Sequence, residues 1–370
     1  MEYREALALR LAAQHISGKK ETPEKVLKAI GAMQAQDYSA ALWAIGLRCR
    51  EGTTAADIED AISERRITRT WLMRGTIHFA ASADIQWMLR LFAPRLLHTA
   101  MLRDQHLGLD NGTIEKTKRA FYSALKRDGK LTRAEMYALL EKGSDPSKNN
   151  LGYHMLYRAA WDGLICFGPN AGREHTFVLL EDHLGKGTAL AGEDALGELA
   201  MRYFSSRGPA TIRDYVWWSG LTVKDAKAGI EKAGSALRKE TITGVDHYMS
   251  REKMRQDSTQ AAYLLPAFDE YLVGYAERSA ILAGPDMQGS AGKKPKEGKK
   301  TVVHSNGTFV PVVVVDGKVA GTWSRKAKGG RVTITVNPFM RLERNAIAAI
   351  KDEAERYGRF LGTEASVDAI

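Results

Sequence analysis

Residues 116–182 carry the pattern that decides the fold, KTKRAFYSALKRDGKLTRAEMYALLEKGSDPSKNNLGYHMLYRAAWDGLICFGPNAGREHTFVLLED. A first helix is predicted to end near Gly129, and a second to begin after Thr132. A third carries Leu151 and Met155 on an apolar stripe at helical spacing. Two β-prone runs, LICFG and HTFVLL, flank the turn PNAGRE, which is typical of a hairpin. Three helices followed by a two-stranded wing are the winged form of the helix-turn-helix.

The same pattern recurs along the chain, and its helix starts share a threonine followed three residues later by an acid. A side-chain oxygen at this position accepts a hydrogen bond from an orphan amide of the first helical turn. The predicted capping pairs are Thr54 with Asp57, Thr132 with Glu135, Thr211 with Asp214, and Thr222 with Asp225. The recurrence predicts an α+β, predominantly helical fold of tandem winged helix-turn-helix units, with a C-terminal β-hairpin and small sheet. Winged helices bind DNA or other proteins, so both kinds of partner stay open at this point.

The recurrence divides the chain into four predicted domains. Residues 1–110 form a first winged-helix domain, with helices predicted at 2–16, 23–33 and 54–64 and a strand-like run at 68–80. The remaining domains are a second winged helix at 111–190, a third at 191–285, and a region at 286–370 with a basic loop, a hairpin with a sheet, and a helix.

Composition restricts the class of protein. The 370 residues are 44% hydrophobic and carry a net charge of +10, which fits an anionic partner such as nucleic acid. A basic surface without a partner, or one that meets an acidic membrane, is an alternative. Cys49 and Cys166 lie far apart, which argues against a disulfide scaffold or a zinc site. Without a signal peptide pattern or a bilayer-spanning apolar run, we expect a cytoplasmic, nucleoid-associated protein.

Two amides stand out in KAIGAMQAQDYSAALWAIGLR, residues 28–48, because the apolar helical pattern ends where Gln34 and Gln36 occur. Residues two apart share a face in an extended chain and point apart in a helix. For both amides to contact the same sugar, the segment must leave the helix near Met33. The neighbouring Asp37 is a second candidate base, and a solvated loop is the alternative for the whole segment.

A second polar group is Arg74, Thr76 and His78 in RGTIHF. On a strand these residues alternate onto one face, where they would contact DNA or hold a phosphate. The alternative is an exposed polar strand face with a satisfied histidine. Trp217 and Trp218 are interpreted as packing residues.

Basic residues near the end of the chain are the third candidate group. The segment MQGSAGKKPKEGKK at 287–300 precedes a hairpin predicted at 308–323 around the turn Asp316-Gly317. Contacts with the DNA backbone are predicted for Lys293, Lys294, Lys299, Lys300 and Arg325. A solvated loop without a partner is the alternative for the lysine run.

Five motifs together resemble the winged-helix family that contains the AlkZ-type bacterial DNA glycosylases. They are MQAQDY at 33–38, WLMRGTIHF at 71–79, RGPATIRDYVWWSGL at 207–221, LLPAFDEYLVGY at 264–275 and DGKVAGTW at 316–323. The resemblance implies tandem winged helices around a concave DNA-binding surface. It also implies removal of alkylated purines, including bulky adducts and interstrand crosslinks, from double-stranded DNA by a monomer without metal or other cofactor. Gln34, Ala35 and Gln36 match the family's catalytic Gln-apolar-Gln signature, and the hairpin at 308–323 is the candidate for the family's duplex-contacting hairpin.

The chemistry of the amides agrees with such a substrate. An N7- or N3-alkylated purine already carries positive charge and leaves as a neutral base, so no general acid is needed. A glutamine cannot take up a proton, but its carbonyl oxygen can orient water and favour positive charge on an oxocarbenium-like sugar. The sequence therefore predicts a monofunctional DNA N-glycosylase with Gln34 and Gln36 as catalytic residues. The alternatives are a non-catalytic winged-helix DNA-binding regulator and a protein-interaction scaffold.

Overall fold

Helices and strands are interspersed along the whole chain in the computed structural model. It describes residues 1–18, 20–140, 145–184, 187, 189–252, 262–282, 302–304 and 307–370. The predicted α+β class is confirmed. Lys293, Lys294, Lys299 and Lys300 lie outside the described residues.

The helices of the described residues cover all parts of the chain. In order they are α1 (Tyr3–Ala13), α2 (Pro23–Ile30), α3 (Tyr38–Arg48), α4 (Ala55–Ser63), α5 (Ser82–Leu107), α6 (Asn111–Asp128), α7 (Arg133–Ala138), α8 (Leu151–Trp161), α9 (Gly192–Arg207), α10 (Ile212–Ser219), α11 (Val223–Ala233), α12 (Glu270–Val273) and α13 (Arg344–Leu361). Short 3₁₀ turns occur at Met73–Gly75, Lys148–Asn150 and Gly234–Ala236. None of the helices in this described part of the chain is both long and apolar enough to cross a membrane.

The strands are short in the first half of the chain and longer near its end. In order they are β1 (Met33–Gln34), β2 (Ile67–Trp71), β3 (Ile77–Ala81), β4 (Leu131–Thr132), β5 (Ile165–Phe167), β6 (Thr176–Leu179), β7 (Leu237–Ile242), β8 (Val245–Ser250), β9 (Ala262–Leu265), β10 (Val312–Val315), β11 (Lys318–Lys328), β12 (Arg331–Pro338) and β13 (Glu364–Ala369).

All four predicted capping pairs form. In each pair the backbone N–H of the acid donates to the threonine hydroxyl: Asp57 to Thr54 (3.3 Å), Glu135 to Thr132 (3.3 Å), Asp214 to Thr211 (3.1 Å) and Asp225 to Thr222 (3.0 Å). Full reciprocal capping boxes occur at Thr54, Thr132 and Thr211, where the acid also accepts from the threonine N–H. These bonds satisfy orphan donors and fix where α4, α7, α10 and α11 begin.

The chain divides into two compact units. One is built from two segments, Met1–Ile58 and Leu196–Ile370, and is called the two-segment unit; the other, Glu59–Ala195, is the one-segment unit. The four predicted domains are smaller than these units, and the winged-helix assignment stays a prediction.

Antiparallel strands organise the one-segment unit. Within it the strand order is β3-β2-β5-β6-β4, and β5 and β6 form the hairpin predicted at PNAGRE, with Phe167 opposite Phe177. The ring of Trp71 lies 4.6 Å from Phe167, whose ring lies 5.0 Å from Phe177. An aromatic core therefore holds the base of this hairpin. The predicted run at 68–80 is in fact two strands, β2 and β3, joined by a turn.

A five-stranded sheet organises the two-segment unit, in the order β13-β12-β11-β10-β9. Its neighbours are antiparallel except for the parallel pair β12 and β13. The indole N–H groups of Trp43 and Trp323 donate to the carbonyls of Leu264 and Leu265, each at 2.8 Å. Helix α3 and strand β11 are thereby tied to the end of β9, where the segment leading to Glu270 begins.

Candidate functional site

A glycine ends the helix before the two glutamines. Gly31 follows α2 with φ 86° and ψ −66°, and its N–H donates to the carbonyl of Leu27 at 2.8 Å. A positive φ of this kind is accessible to glycine and costly for residues with a Cβ. The chain therefore leaves the helix two residues before Met33, close to where the sequence predicts it.

The next residues alternate between the core and the surface. Met33 and Ala35 are fully buried, whereas Gln34 is half-buried and Gln36 is exposed. Strand β1 covers Met33 and Gln34, and Gln36 lies in the bend that leads into α3. The segment has therefore left the helix, as predicted, and both glutamines are accessible to solvent, whereas a shared direction of the two amides stays a prediction.

Asp37 closes the segment by starting the next helix. Its carboxylate accepts the backbone N–H of Ala40 at 3.0 Å, so it is the N-cap of α3. A carboxylate in this position satisfies an orphan amide and stabilises the helix start by about 1 kcal/mol. The structure thus gives Asp37 a structural role that its position beside the glutamines does not reveal.

A buried carboxylate holds the backbone of Gln34. Glu270 accepts the N–H of Gln34 on Oε1 at 2.9 Å. Its Oε2 accepts from Nη2 of Arg207 at 2.6 Å and from the indole N–H of Trp218 at 2.9 Å. Glu270 is 1% exposed, and Arg207 and Trp218 are fully buried. Trp218 is a packing residue, as predicted, whereas Trp217 is 49% exposed and departs from the prediction.

Arg207 also binds the end of α2. Its Nη1 donates to the carbonyl of Ile30 at 2.8 Å, and its Nη2 to that of Ala32 at 3.1 Å. Carbonyls at a helix C-terminus lack intrahelical partners, and a guanidinium is well suited to satisfy them. The guanidinium also lies 4.3 Å from the ring centroid of Trp218, which adds a cation–π contact. We call Glu270, Arg207 and Trp218 the brace.

Asp269, the residue before Glu270, forms a second buried ion pair. Asp269 accepts two hydrogen bonds from Arg48, each at 2.8 Å, and both side chains are fully buried. Arg48 also donates to the carbonyl of Ala44 and to the side chain of Gln14. This pair therefore fixes the C-terminal end of α3. The brace instead fixes the glutamine segment, which precedes α3 in the chain.

The prediction of one shared strand face for Arg74, Thr76 and His78 is wrong. Strand β3 begins only at Ile77, and Arg74 lies in the 3₁₀ turn before it with φ 55°. The hydroxyl of Thr76 donates to the carbonyl of Met73 at 3.2 Å. His78 is fully buried, and its Nδ1–H donates to the carbonyl of Thr76 at 2.8 Å. DNA contact by these residues stays a prediction, and the burial of His78 weighs against it.

Arg325 lies on a hairpin that carries more positive charge than the one predicted from the sequence. The predicted turn Asp316-Gly317 forms, but the hydroxyl of Tyr271 donates to the carbonyl of Gly317 at 2.7 Å and holds that turn against the protein. Strands β11 and β12 form a second, longer hairpin around Gly329-Gly330. Its outer part is exposed and carries Arg325, Lys326, Lys328 and Arg331, and we call β11–β12 the basic hairpin.

The position of Arg325 connects this hairpin with the glutamine segment. Neighbouring protein atoms lower the pKa of its guanidinium by desolvation, and the carboxylate of Asp37 acts in the opposite direction. Its guanidinium also lies 5.5 Å from the ring centroid of Tyr357. The electrostatic influence of Asp37 shows that the basic hairpin passes close to the residue that follows Gln36.

Sequence reasoning missed the roles of Glu270 and Arg207. Both lie in motifs that carry the family resemblance, LLPAFDEYLVGY and RGPATIRDYVWWSGL. A charged side chain that is completely buried requires a partner of opposite charge. The sequence shows neither the burial of Glu270 and Arg207 nor the identity of their partners, because both depend on the fold.

Comparisons with known proteins identify the family of the chain. A family model described as "DNA glycosylase AlkZ-like" matches residues 27–360. The interstrand DNA cross-link repair glycosylase of Streptomyces sahachiroi is 24% identical over 388 residues, which cover 97% of this chain and 96% of that relative. The solved structure of Streptomyces sahachiroi DNA glycosylase AlkZ has the same fold, with a TM-score of 0.79 and 23% identity over 100% of both chains. The chain therefore belongs to the AlkZ-like family of DNA glycosylases, hydrolases that act on N-glycosyl bonds.

Proposed function

We propose that this glycosylase hydrolyses the N-glycosidic bond of cationic alkylated purines in duplex DNA, with Gln34 and Gln36 as its catalytic residues. The observation that carries the proposal is the alternation of burial from Met33 to Gln36, in which Met33 and Ala35 are buried and both glutamines are accessible to solvent. A relative is named as an interstrand cross-link repair glycosylase, so the proposed substrates include purines joined across the two strands.

In the proposed reaction the purine leaves first. An N7-alkylated purine takes the electrons of the glycosidic bond and becomes neutral, while the sugar becomes an oxocarbenium-like cation. The amide oxygens of Gln34 and Gln36 stabilise that cation and hold a water at its open face. The water attacks C1′ and its proton passes to solvent, which leaves an abasic site and a free base. Neither glutamine has to accept a proton, which an amide does poorly.

The accessible position of the amides fits bulky substrates. Gln36 is exposed and Gln34 is half-buried, so a purine with a large adduct can approach without entering a narrow cavity. Full extrusion of the nucleotide, which many base-modifying enzymes require, is then unnecessary.

Duplex binding is assigned to the basic hairpin β11–β12. Its four exposed cations can meet phosphates, and Asp37 acts electrostatically on Arg325 next to the glutamine segment. We extend the proposal to tandem winged helices acting as a monomer. The hairpin β5–β6 follows α6, α7 and α8, and the hairpin β7–β8 follows α10 and α11, in the order that such units have.

Release of a defined base tests the function. Wild-type protein is incubated with duplex DNA that contains one N7-methylguanine, and free base and abasic sites are measured under single-turnover conditions. We expect release by wild type and a loss of at least about 100-fold in Gln34→Ala with Gln36→Ala. Gln105→Ala, an exposed glutamine of α5, is the matched control and should react like wild type. Binding without release by wild type would exclude this substrate class, and activity of the double variant would exclude the assigned residues.

A further inference from the structure

The ion pair between Glu270 and Arg207 contacts three backbone groups in a stretch of five residues. Glu270 accepts the N–H of Gln34, and Arg207 donates to the carbonyls of Ile30 and Ala32. These groups lie on both sides of Gly31, where the chain leaves α2. The pair therefore fixes the path by which the chain turns from the helix into the glutamine segment.

Glu270 is not arranged to touch a substrate. Its Oε1 is engaged by Gln34, its Oε2 accepts from both Arg207 and Trp218, and the side chain is 1% exposed. A carboxylate used in this way is a poor general base, because its lone pairs are directed at protein donors and water does not reach it. Its effect on a reaction must pass through the residue that it holds.

We propose that Glu270 and Arg207 are positioning residues that set where the amides of Gln34 and Gln36 meet the reacting nucleotide. The inference rests on the proposed catalytic role of the glutamines. Only Ala35 separates Gln34 from Gln36, and Ala35 is fully buried, so a shift of the Gln34 peptide is passed along the backbone to both amides. A displacement of about 1 Å at reacting groups is sufficient to slow a reaction by roughly 100-fold.

The neighbouring pair of Asp269 and Arg48 provides a control of the same chemistry. Both pairs join a buried carboxylate to a buried guanidinium, and the carboxylates are consecutive in the chain. Arg48 binds Ala44 and Gln14, so the described hydrogen bonds of this control pair do not reach residues 30–36. Asp269 also accepts the backbone N–H of Tyr271 at 2.9 Å as the N-cap of α12, and an asparagine at this position keeps an oxygen for that bond. A loss of stability is common to both pairs, whereas a loss of direct contact with residues 30–34 is specific to Glu270 and Arg207.

The experiment compares Glu270→Gln with Asp269→Asn, two changes of a carboxylate into an amide of equal size. Single-turnover release of N7-methylguanine, duplex affinity and thermal unfolding are measured for each variant at a temperature where it is folded. We expect both variants to melt earlier than wild type. Glu270→Gln should react about 10- to 100-fold more slowly with duplex affinity within about twofold, and Asp269→Asn should stay within about threefold of the wild-type rate.

A milder variant keeps the test decisive if Glu270→Gln does not fold. Trp218→Phe removes one hydrogen bond to Glu270 and keeps the ion pair and most of the packing. We expect its rate to fall by about 3- to 10-fold with unchanged duplex affinity. Equal rates for wild type and both brace variants, or equal losses in the Glu270 and Asp269 variants, would overturn the positioning role. Absence of release by wild type would instead refute the proposed function.

Discussion

Replacing Gly31 with alanine tests whether a single backbone conformation delivers the glutamines. A Cβ at this position would lie 3.7 Å from Cη2 of Trp218 and 3.9 Å from Cβ of Arg202, which are ordinary contact distances. Steric overlap therefore contributes little to the cost. The remaining cost is that of holding an L-residue at φ 86° and ψ −66°, about 1–3 kcal/mol.

The strain can be relieved in two ways, and each has a measurable result. If the conformation is kept, the free energy of unfolding falls by the whole of that cost, about 1–3 kcal/mol, and the melting temperature falls by about 2–4 °C for each kcal/mol. If the peptide rotates instead, the hydrogen bonds of Arg207 to Ile30 and Ala32 are disturbed and the glutamines move. We expect a mixture of both, with base release slowed at least about 10-fold.

Gly52→Ala is the matched control for this prediction. Gly52 has φ 82°, a Cβ added to it would meet nothing within 4 Å, and it belongs to the turn between α3 and α4. The backbone strain is of the same kind, but the glutamine segment is not involved. Thermal unfolding and single-turnover release of N7-methylguanine are measured for both variants. The reasoning is refuted if Gly31→Ala melts and reacts like wild type, or if both variants slow the reaction equally.

Three further predictions concern the hairpin, the packing of α3 and the response to acid. Arg325→Ala should weaken duplex binding and reduce the salt dependence of the affinity by about one unit, measured by fluorescence titration, whereas the exposed Lys351→Ala should not. Gly46→Ala would bring a Cβ to 2.3 Å from Cε2 of Phe360, and should destabilise the protein by about 1–3 kcal/mol. Adding Phe360→Leu should cost less than the sum of the single changes in denaturant unfolding. Burial and the charge of a nearby arginine lower the pKa of His175 to about 4 in the folded protein. As the pH falls, this histidine is therefore protonated at a higher pH in the unfolded chain than in the folded protein. Stability should therefore fall as the pH drops from about 6.5 towards 4, and less so in His175→Gln; an unchanged pH profile of the variant would contradict this.

Local signals in the sequence predicted those parts of the fold that depend on neighbouring residues. The capping threonines, the hairpin at PNAGRE and the turn at Asp316-Gly317 each depend on a few adjacent side chains, and each formed. The end of the helix before the glutamine segment was predicted for the same reason, because the apolar helical pattern stops there.

Other elements carry no clear local signal. Helix α3 is buried along most of its length, from Ala41 to Arg48, so its sequence lacks the alternation of apolar and polar faces that marks a surface helix. Helix α5 extends over 26 residues with Pro94 inside it, a residue that ordinarily indicates a helix end. Both helices escape prediction because tertiary packing decides them.

The brace was beyond sequence reasoning for a different reason. Glu270 meets Gln34 across 236 positions of the chain, and Arg207 meets Ile30 across 177. Periodicity and spacing describe residues within a few helical turns of one another, and neither relates two such distant segments. The contact between the predicted turn at Asp316-Gly317 and Tyr271 is of the same kind, since only the fold brings the two together. Duplex contact by the hairpin at 308–323 stays a prediction.

The separation of Gln34 from Glu270 has a consequence for the order in which the enzyme matures on the ribosome. At about 5–20 residues per second, the 236 positions between them take roughly 10–50 s to synthesise. For most of that interval the glutamines are outside the ribosome while their carboxylate partner has not been made, and Glu59–Ala195 is completed before Glu270 is synthesised. On the proposed roles of the glutamines and Glu270, a nascent or prematurely terminated chain lacks an assembled site. The proposed site can then form only after nearly three-quarters of the chain has been translated.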